Sequence, residues 1–395
     1  MADPWLTIIG LGEDGLNGLP DASRTALRNA DVIFGGPRHL ALVDAGRKGH
    51  EWPIPFAIDP VLAEKGKSVV VLASGDPFWF GAGGSLSAHL GSDEWVAHPA
   101  PSTFSLAAGR LGWRLEEVLC LGLHAAPFER LVPVLSRGVR AICLLRDGAA
   151  AAELAGWLSI HGFGPSKLTV MEALGGPRER LRNAVAQRYG LADVAAPVAV
   201  AIVADGGGGL PRASGLPDEA FVHDGQITKR AIRALTLSAL APRPDEVLWD
   251  LGAGSGSISV EWCLAAPGTI AHAIESRADR ATYIETNAAA FGLQQRLNVH
   301  RAFWPEGLAQ LPPPSAVFIG GGADIAGIET VFDALPAGTR IVANAVTIET
   351  EALLSGCQER RGGTLMRFEI ATSSPLGRLR GWAPARPVVQ WSTVT

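Results

Sequence analysis

The stretch EVLWDLGAGSGSISVEW, residues 246–262, constrains the chain most. An apolar run ends at Asp250, Gly252, Gly254 and Gly256 follow, and a helical pattern resumes near Ser257. Apolar, β-branched residues followed by three closely spaced glycines predict a strand, a tight turn and a helix. Glycine lets the backbone turn sharply and approach a ligand without a Cβ clash. The spacing is G-x-G-x-G. A dinucleotide fingerprint is G-x-G-x-x-G, which would require glycine at Ser257.

A pyrophosphate ligand is therefore disfavoured, and a nucleoside without phosphate is favoured. S-adenosylmethionine (SAM) fits that description. The following apolar run, TIAHAIE, ends at Glu275, where a carboxylate is placed to accept from ribose hydroxyls. Further runs at 269–274, 298–302, 316–319 and 340–343 alternate with helical stretches, which predicts a mainly parallel sheet covered by helices. The tail departs from this. Runs at 364–370 and 387–392 have only an irregular loop between them, which predicts an antiparallel pair, because a parallel crossover needs about a dozen residues.

At 395 residues, two or three domains are expected. The composition shift lies at ADGGGGLPRASGLPDEAFVHDGQ, where four glycines and two prolines make neither helix nor strand. The expected division is 1–205, a Gly/Pro-rich linker at 206–226, and 227–395. In the first part, strands are expected at 6–9, 32–34, 68–72, 139–145 and 197–203. Helices are expected at 23–29, 104–111 and 149–161. Three motifs stand out there: IIGLGEDGLNG (8–18), VVVLASGDPFWFGAGG (69–84) and APSTFSLAAGRLGW (100–113).

Residues 227–395 resemble the decarboxylating methyltransferase domain of cobalamin biosynthesis. The resemblance rests on ITKRAIRAL (227–235), the DLGAGSG loop, VFIGGG (317–322) and ANAVTIET (343–350). It implies a Rossmann-like class I methyltransferase fold with a terminal antiparallel hairpin. Thr228, Gly252, Ala253, Gly254, Ser255, Gly256 and Glu275 would line a SAM pocket. Where the family often has Gly-Asp-Ala-Pro-Glu, this chain has Ala302-Phe303-Trp304-Pro305-Glu306, so Trp304 is the candidate for the adenine side.

The three motifs of the first part, in their order, resemble the tetrapyrrole methylase family, and MEALGGPRER (171–180) is similar to a member acting late in the corrin pathway. This implies a two-lobed α/β class III methyltransferase fold with the cofactor between the lobes. SAM contacts would fall on Ser74, Gly75, Asp76, Phe104, Ser105 and Leu145. Many members have Gly-Pro-Gly where this chain has Gly12-Glu13-Asp14-Gly15.

Together the two resemblances imply a bifunctional enzyme. It would transfer methyl groups from SAM, one per domain, to two meso carbons of a precorrin and decarboxylate a ring acetate. Two other readings stay open: a fused SAM enzyme acting on RNA or another small molecule, and a SAM-binding regulatory protein. The chemistry needs no Ser-His-Asp set and no metal, and no catalytic residue is singled out. His39, His98, His124 and His272 have no metal-ligand spacing, and four scattered cysteines lack a C-x-x-C pair. The substrate's carboxylates would be anchored by Lys229, Arg230, Arg233, Arg378 and Arg380. Trp79, Phe80, Trp304 and Trp382 would stack on the macrocycle or pack a core.

A net charge of −5 argues against a nucleic-acid partner. The start, MADPWLTIIG, shows no basic region followed by a long apolar stretch, so no secretory leader is expected. No apolar run approaches the roughly 18 residues of a membrane span. The expectation is a cytoplasmic homo-oligomer.

Overall fold

A computed structural model describes residues 4–395. The chain divides into two compact units: the first runs to Phe128 and takes Leu135–Gly208, and the second takes Glu129–Val134 and Gly209–Thr395.

The first unit contains two five-stranded sheets. One is wholly parallel, in the spatial order Gly49–Glu51, Val32–Gly35, Val69–Ser74, Leu6–Leu11, Trp95–His98. LTIIGL and VVVLAS form its centre because they are buried on both faces, which demands unbroken apolar runs rather than alternation. One face packs Ile9, Leu11, Val70 and Leu72, and the other Leu6, Ile8, Val69 and Val71. The second sheet is mixed, in the order Leu119–Gly122, Arg140–Leu145, Val198–Val203, Lys167–Glu172, Arg180–Val185. Helix Thr103–Leu111 packs on it through Phe104, Ala107 and Ala108. Its start is fixed by Ser102, whose side chain accepts from the Ser105 amide. Its end is fixed by Gly112 in the left-handed region.

The second unit is built on one seven-stranded sheet: Leu297–His300, Ile270–Ile274, Val247–Leu251, Ala316–Ile319, Arg340–Ala345, Val388–Val394, Thr364–Phe368. The first five strands are parallel, and the last two join antiparallel. Helix Ser257–Ala265 is apolar around most of its circumference, and seven of its nine residues are buried. Two cores line the sheet's faces, one around Trp262 and Phe318 and one around Trp249 and Trp391.

Two differences from the sequence expectation matter for the sites. Residues 209–226 are irregular but are no free linker, since Leu216 and Phe221 are buried in the second unit's core. The loop expected between the terminal strands is itself a hairpin, Ala371–Leu376 with Leu379–Pro384. It turns through Gly377-Arg378 with φ +61° at the glycine, as a glycine-first two-residue turn requires.

Candidate functional site

The second unit's glycine loop lies where the sheet order reverses, at the carboxyl end of Val247–Leu251 beside Ala316–Ile319. In open α/β sheets ligands bind at this point. Gly252, Gly254 and Gly256 have φ of +70°, +61° and +72°. A Cβ on Gly252 would lie 2.6 Å from the Gly321 carbonyl oxygen, and one on Gly256 would lie 2.7 Å from Ile284. Gly254 is different: its open side meets only the Gln226 oxygen, at 4.0 Å. Two of the glycines thus serve close packing and the third leaves a space. VFIGGG is explained in the same stroke, since its second glycine abuts the loop.

Glu275 is 6% exposed. It accepts from the Gly254 amide at 2.9 Å and, on its other oxygen, from the Arg277 amide at 2.9 Å. Each oxygen keeps a further acceptor site for a ribose hydroxyl. Asp250 is fully buried at the strand end, and burial raises its carboxyl to about 7. Its Oδ2 accepts from Ser259 at 2.6 Å, while Oδ1 and the buried Ser255 hydroxyl have no partner. Two orphaned polar atoms beside a glycine cradle and a ribose-type carboxylate suit a nucleoside amino acid such as SAM. Ala253 is half-buried in the same loop. Thr228 lies two residues past Gln226, and its carbonyl accepts from Arg233. Trp304 donates to the Gly321 carbonyl at 3.0 Å, and its ring backs Gly327, so it buttresses the loop through Gly321.

The candidate substrate anchors separate. Arg233 is corrected: it is fully buried, bonded to Glu261 at 2.5 Å and Asp218 at 3.1 Å, and stacked 4.7 Å over Phe221. A guanidinium committed to two carboxylates cannot reach a substrate; it staples 215–221 into the core, with Glu261 also accepting from the Gly215 and Leu216 amides. Lys229 and Arg230 are exposed at the start of the helix Arg230–Leu240, which also carries Arg233, and Arg378 and Arg380 are exposed on the terminal hairpin beside Trp382.

In the first unit a cavity of about 320 Å³ opens at the carboxyl ends of Leu6–Leu11 and Val69–Ser74. Ser74, Gly75, Phe104 and Leu145 line it, together with Trp79 and Phe80. Gly75 has φ +56°, and a Cβ there would lie 2.8 Å from the Ser102 backbone, so the SGDP and APST motifs meet at this residue. The Trp79 and Phe104 rings pack 4.9 Å apart. Two expected contacts are corrected. Asp76 is not in the lining; it accepts from the Phe78 amide at 2.9 Å and closes the turn. Ser105 is not in the lining either, being paired with Ser102 at 2.9 Å, and Ser102 and Thr103 take its place.

Sequence reasoning missed a polar cluster on the cavity wall. Arg38 donates to Glu13 and, at 2.8 Å, to the Ser74 hydroxyl. His39 Nε2 lies 2.8 Å from the same hydroxyl and 2.7 Å from Arg38. Burial, reinforced by Arg38, pushes His39 down to about 4, so the ring is neutral. The signal was GGPRHL, residues 35–40: a strand end, two glycines and a proline opening a helix, Pro37–Leu42. Among the described residues no group of three or more His, Cys, Asp or Glu is placed to hold a metal. No helix there is long and apolar enough to cross a membrane.

Residues 6–188 match the family of Tetrapyrrole (Corrin/Porphyrin) Methylases. Residues 219–395 match the Precorrin methyltransferase domain. A Sinorhizobium precorrin-6Y C(5,15)-methyltransferase (decarboxylating) is 47% identical over 99% of this chain and 97% of its own length. Two shorter relatives are each named for one methylated carbon. A Salmonella typhimurium cobalt-precorrin-7 C(5)-methyltransferase is 29% identical over 45% of this chain and 88% of its own. A Pyrobaculum calidifontis probable cobalt-precorrin-6B C(15)-methyltransferase (decarboxylating) is 36% identical over 40% of this chain and 80% of its own. Two methyltransferase family matches, one to each part of the chain, and a match along the full length have one meaning: the chain belongs to the family of decarboxylating precorrin-6Y C(5,15)-methyltransferases.

Proposed function

We propose that this chain methylates two meso carbons of precorrin-6Y, C5 and C15, and decarboxylates one ring acetate to a methyl group with release of carbon dioxide, with one SAM site in each unit. The observation that supports the reading is a glycine turn at a strand carboxyl end in each unit, the first facing a cavity and the second lying beside the buried carboxylates of Asp250 and Glu275. The two shorter relatives, each named for one methylated carbon and each matching a share of this chain about the size of one unit, favour C5 methylation in the first unit. They favour C15 methylation with decarboxylation in the second.

SAM, when bound, supplies a methyl group on a sulfonium, which an electron-rich ring carbon accepts. Substitution at a meso carbon releases the meso proton, and loss of the acetate carboxylate as carbon dioxide leaves a carbanion that takes one up. The chain's own task is alignment and exclusion of water, and good alignment is worth up to about 7–11 kcal/mol. In the second unit, Glu275 and the Gly254 amide fix the ribose side, and Asp250 and Ser255 offer acceptors for the amino-acid side. In the first, Gly75 brings the backbone of two motifs to the cavity, and the rings of Trp79, Phe80 and Phe104 give it an apolar wall.

The test uses the full chain with precorrin-6Y and methyl-labelled [13C]SAM. Two labelled methyl signals and one carbon dioxide per tetrapyrrole are expected. Titration with S-adenosylhomocysteine should saturate at two per chain. A single methyl without gas release, or one site per chain, defeats the reading.

A further inference from the structure

We propose that Arg38 and Arg178, held by the one carboxylate of Glu13, form a receptor on the first unit's cavity for a carboxylate of the tetrapyrrole substrate. This rests on the reading above that the unit handles a tetrapyrrole. Glu13 stands where many tetrapyrrole methylases have the proline of Gly-Pro-Gly, and its side chain is 8% exposed. One of its oxygens takes Arg38, and the other lies 3.5 Å from Arg178. The loop carrying Arg178 is brought there by Gly176, where a Cβ would lie 2.9 Å from the Glu13 carbonyl oxygen.

The charges do not cancel. Glu13 and Arg38 are the charged residues in the cavity lining, and His39 and His124 are its other titratable groups. Arg178 stands outside the lining with its side chain largely exposed; counting it, and with His39 neutral, two guanidiniums share one carboxylate, which leaves the cluster a net charge of about +1. Burial, and after it the charge of Arg178, lower the proton affinity of Arg38. A second carboxylate would offset the like charge of Arg178 and form charge-assisted bonds with Arg38. Arg38 has donors to spare, since a guanidinium carries five N–H groups and only three partners engage this one.

The ligand's charge decides which carboxylate is meant. SAM carries a sulfonium and an ammonium against one carboxylate, so a net-positive wall repels it overall. A precorrin carries many carboxylates and no fixed cation, and the wall attracts it. Ser74, in contact with both Arg38 and His39, links this receptor to the rim of the expected donor site.

The test compares Arg38→Met and Arg178→Gln with wild type in the full chain. Arg178 is 63% exposed, so its variant leaves folding intact even if Arg38→Met does not. Binding of precorrin-6Y is followed by its absorbance at two salt concentrations, and the two methyl transfers by [13C]SAM. Arg38→Met should raise the KM of the first unit's transfer roughly 10–100-fold, the worth of a charged hydrogen bond. Arg178→Gln should raise it severalfold and flatten the salt dependence of binding. S-adenosylhomocysteine affinity should stay within threefold in both. An unchanged KM in both variants overturns the inference, and so does a loss of S-adenosylhomocysteine affinity, which would mean that the cluster holds the donor's own carboxylate. A wild-type chain that binds precorrin-6Y yet transfers one methyl defeats the proposed function instead, and the binding arm then decides this inference alone.

Discussion

Single residues in this chain owe their roles to partners far away in sequence. The place of Glu275 beside the glycine loop was legible because an acid closing the next strand of such a sheet lies next to that loop, and it accepts from the Gly254 amide. Arg233 was not legible. Its neighbours Lys229 and Arg230 are exposed, and nothing local shows that Glu261, a full helix away, would claim it. Glu13 and Arg38 likewise meet only through tertiary structure. His39 yields a prediction at this scale. Its folded pKa, near 4, lies below the ordinary 6.5, so between these values the unfolded chain takes up a proton that the folded one refuses. Stability from this group is complete above pH 6.5 and is lost as pH falls towards 4, amounting to roughly 3 kcal/mol. Denaturant midpoints measured from pH 7 to pH 4 should fall more steeply for wild type than for His39→Gln. Parallel slopes would show that the ring is not held neutral.

Elements were readable where burial on both faces forces continuous apolar runs. The central strands of the two parallel arrays, Leu6–Leu11, Val69–Ser74, Val247–Leu251 and Ala316–Ile319, all lie within two residues of their expected bounds. The antiparallel strands Lys167–Glu172 and Arg180–Val185 were missed because the second is polar and largely exposed, so its alternation carries no signal. The hairpin at 371–384 was missed for a related reason: Pro375 sits in one strand, and both strands are exposed almost throughout. That exposure predicts a separation of effects. Replacing Arg378 and Arg380 together with glutamine removes no buried contact, so the melting temperature should move by less than a surface substitution's ±0.5 kcal/mol allows. If the hairpin offers its arginines to the substrate, the KM for carbon dioxide release should rise severalfold in the same variant. An unchanged KM would remove both residues from the substrate surface.

The whole molecule joins two unlike frameworks, each matching a methyltransferase family. Each framework announced itself by glycines at strand ends, because a backbone that must meet a ligand or another backbone tolerates no Cβ there. The boundary between them was less legible. Glycine and proline mark 206–226 as irregular, yet irregular backbone still buries Leu216 and Phe221 when a neighbouring core has room for them. The glycines also allow the two chemistries to be uncoupled. Valine at Gly75 would force a side chain into the Ser102 backbone at positive φ, and valine at Gly252 would do the same against Gly321. Each clash lies at the mouth of one hollow, within one unit. Gly75→Val should therefore bind one S-adenosylhomocysteine per chain, lose one methyl transfer and keep carbon dioxide release. Gly252→Val should also bind one, and should lose the other methyl together with the gas. If Gly75→Val abolishes carbon dioxide release while still binding one S-adenosylhomocysteine, decarboxylation requires the product of the first unit. The two activities would then form an obligatory sequence beginning at the tetrapyrrole methylase site.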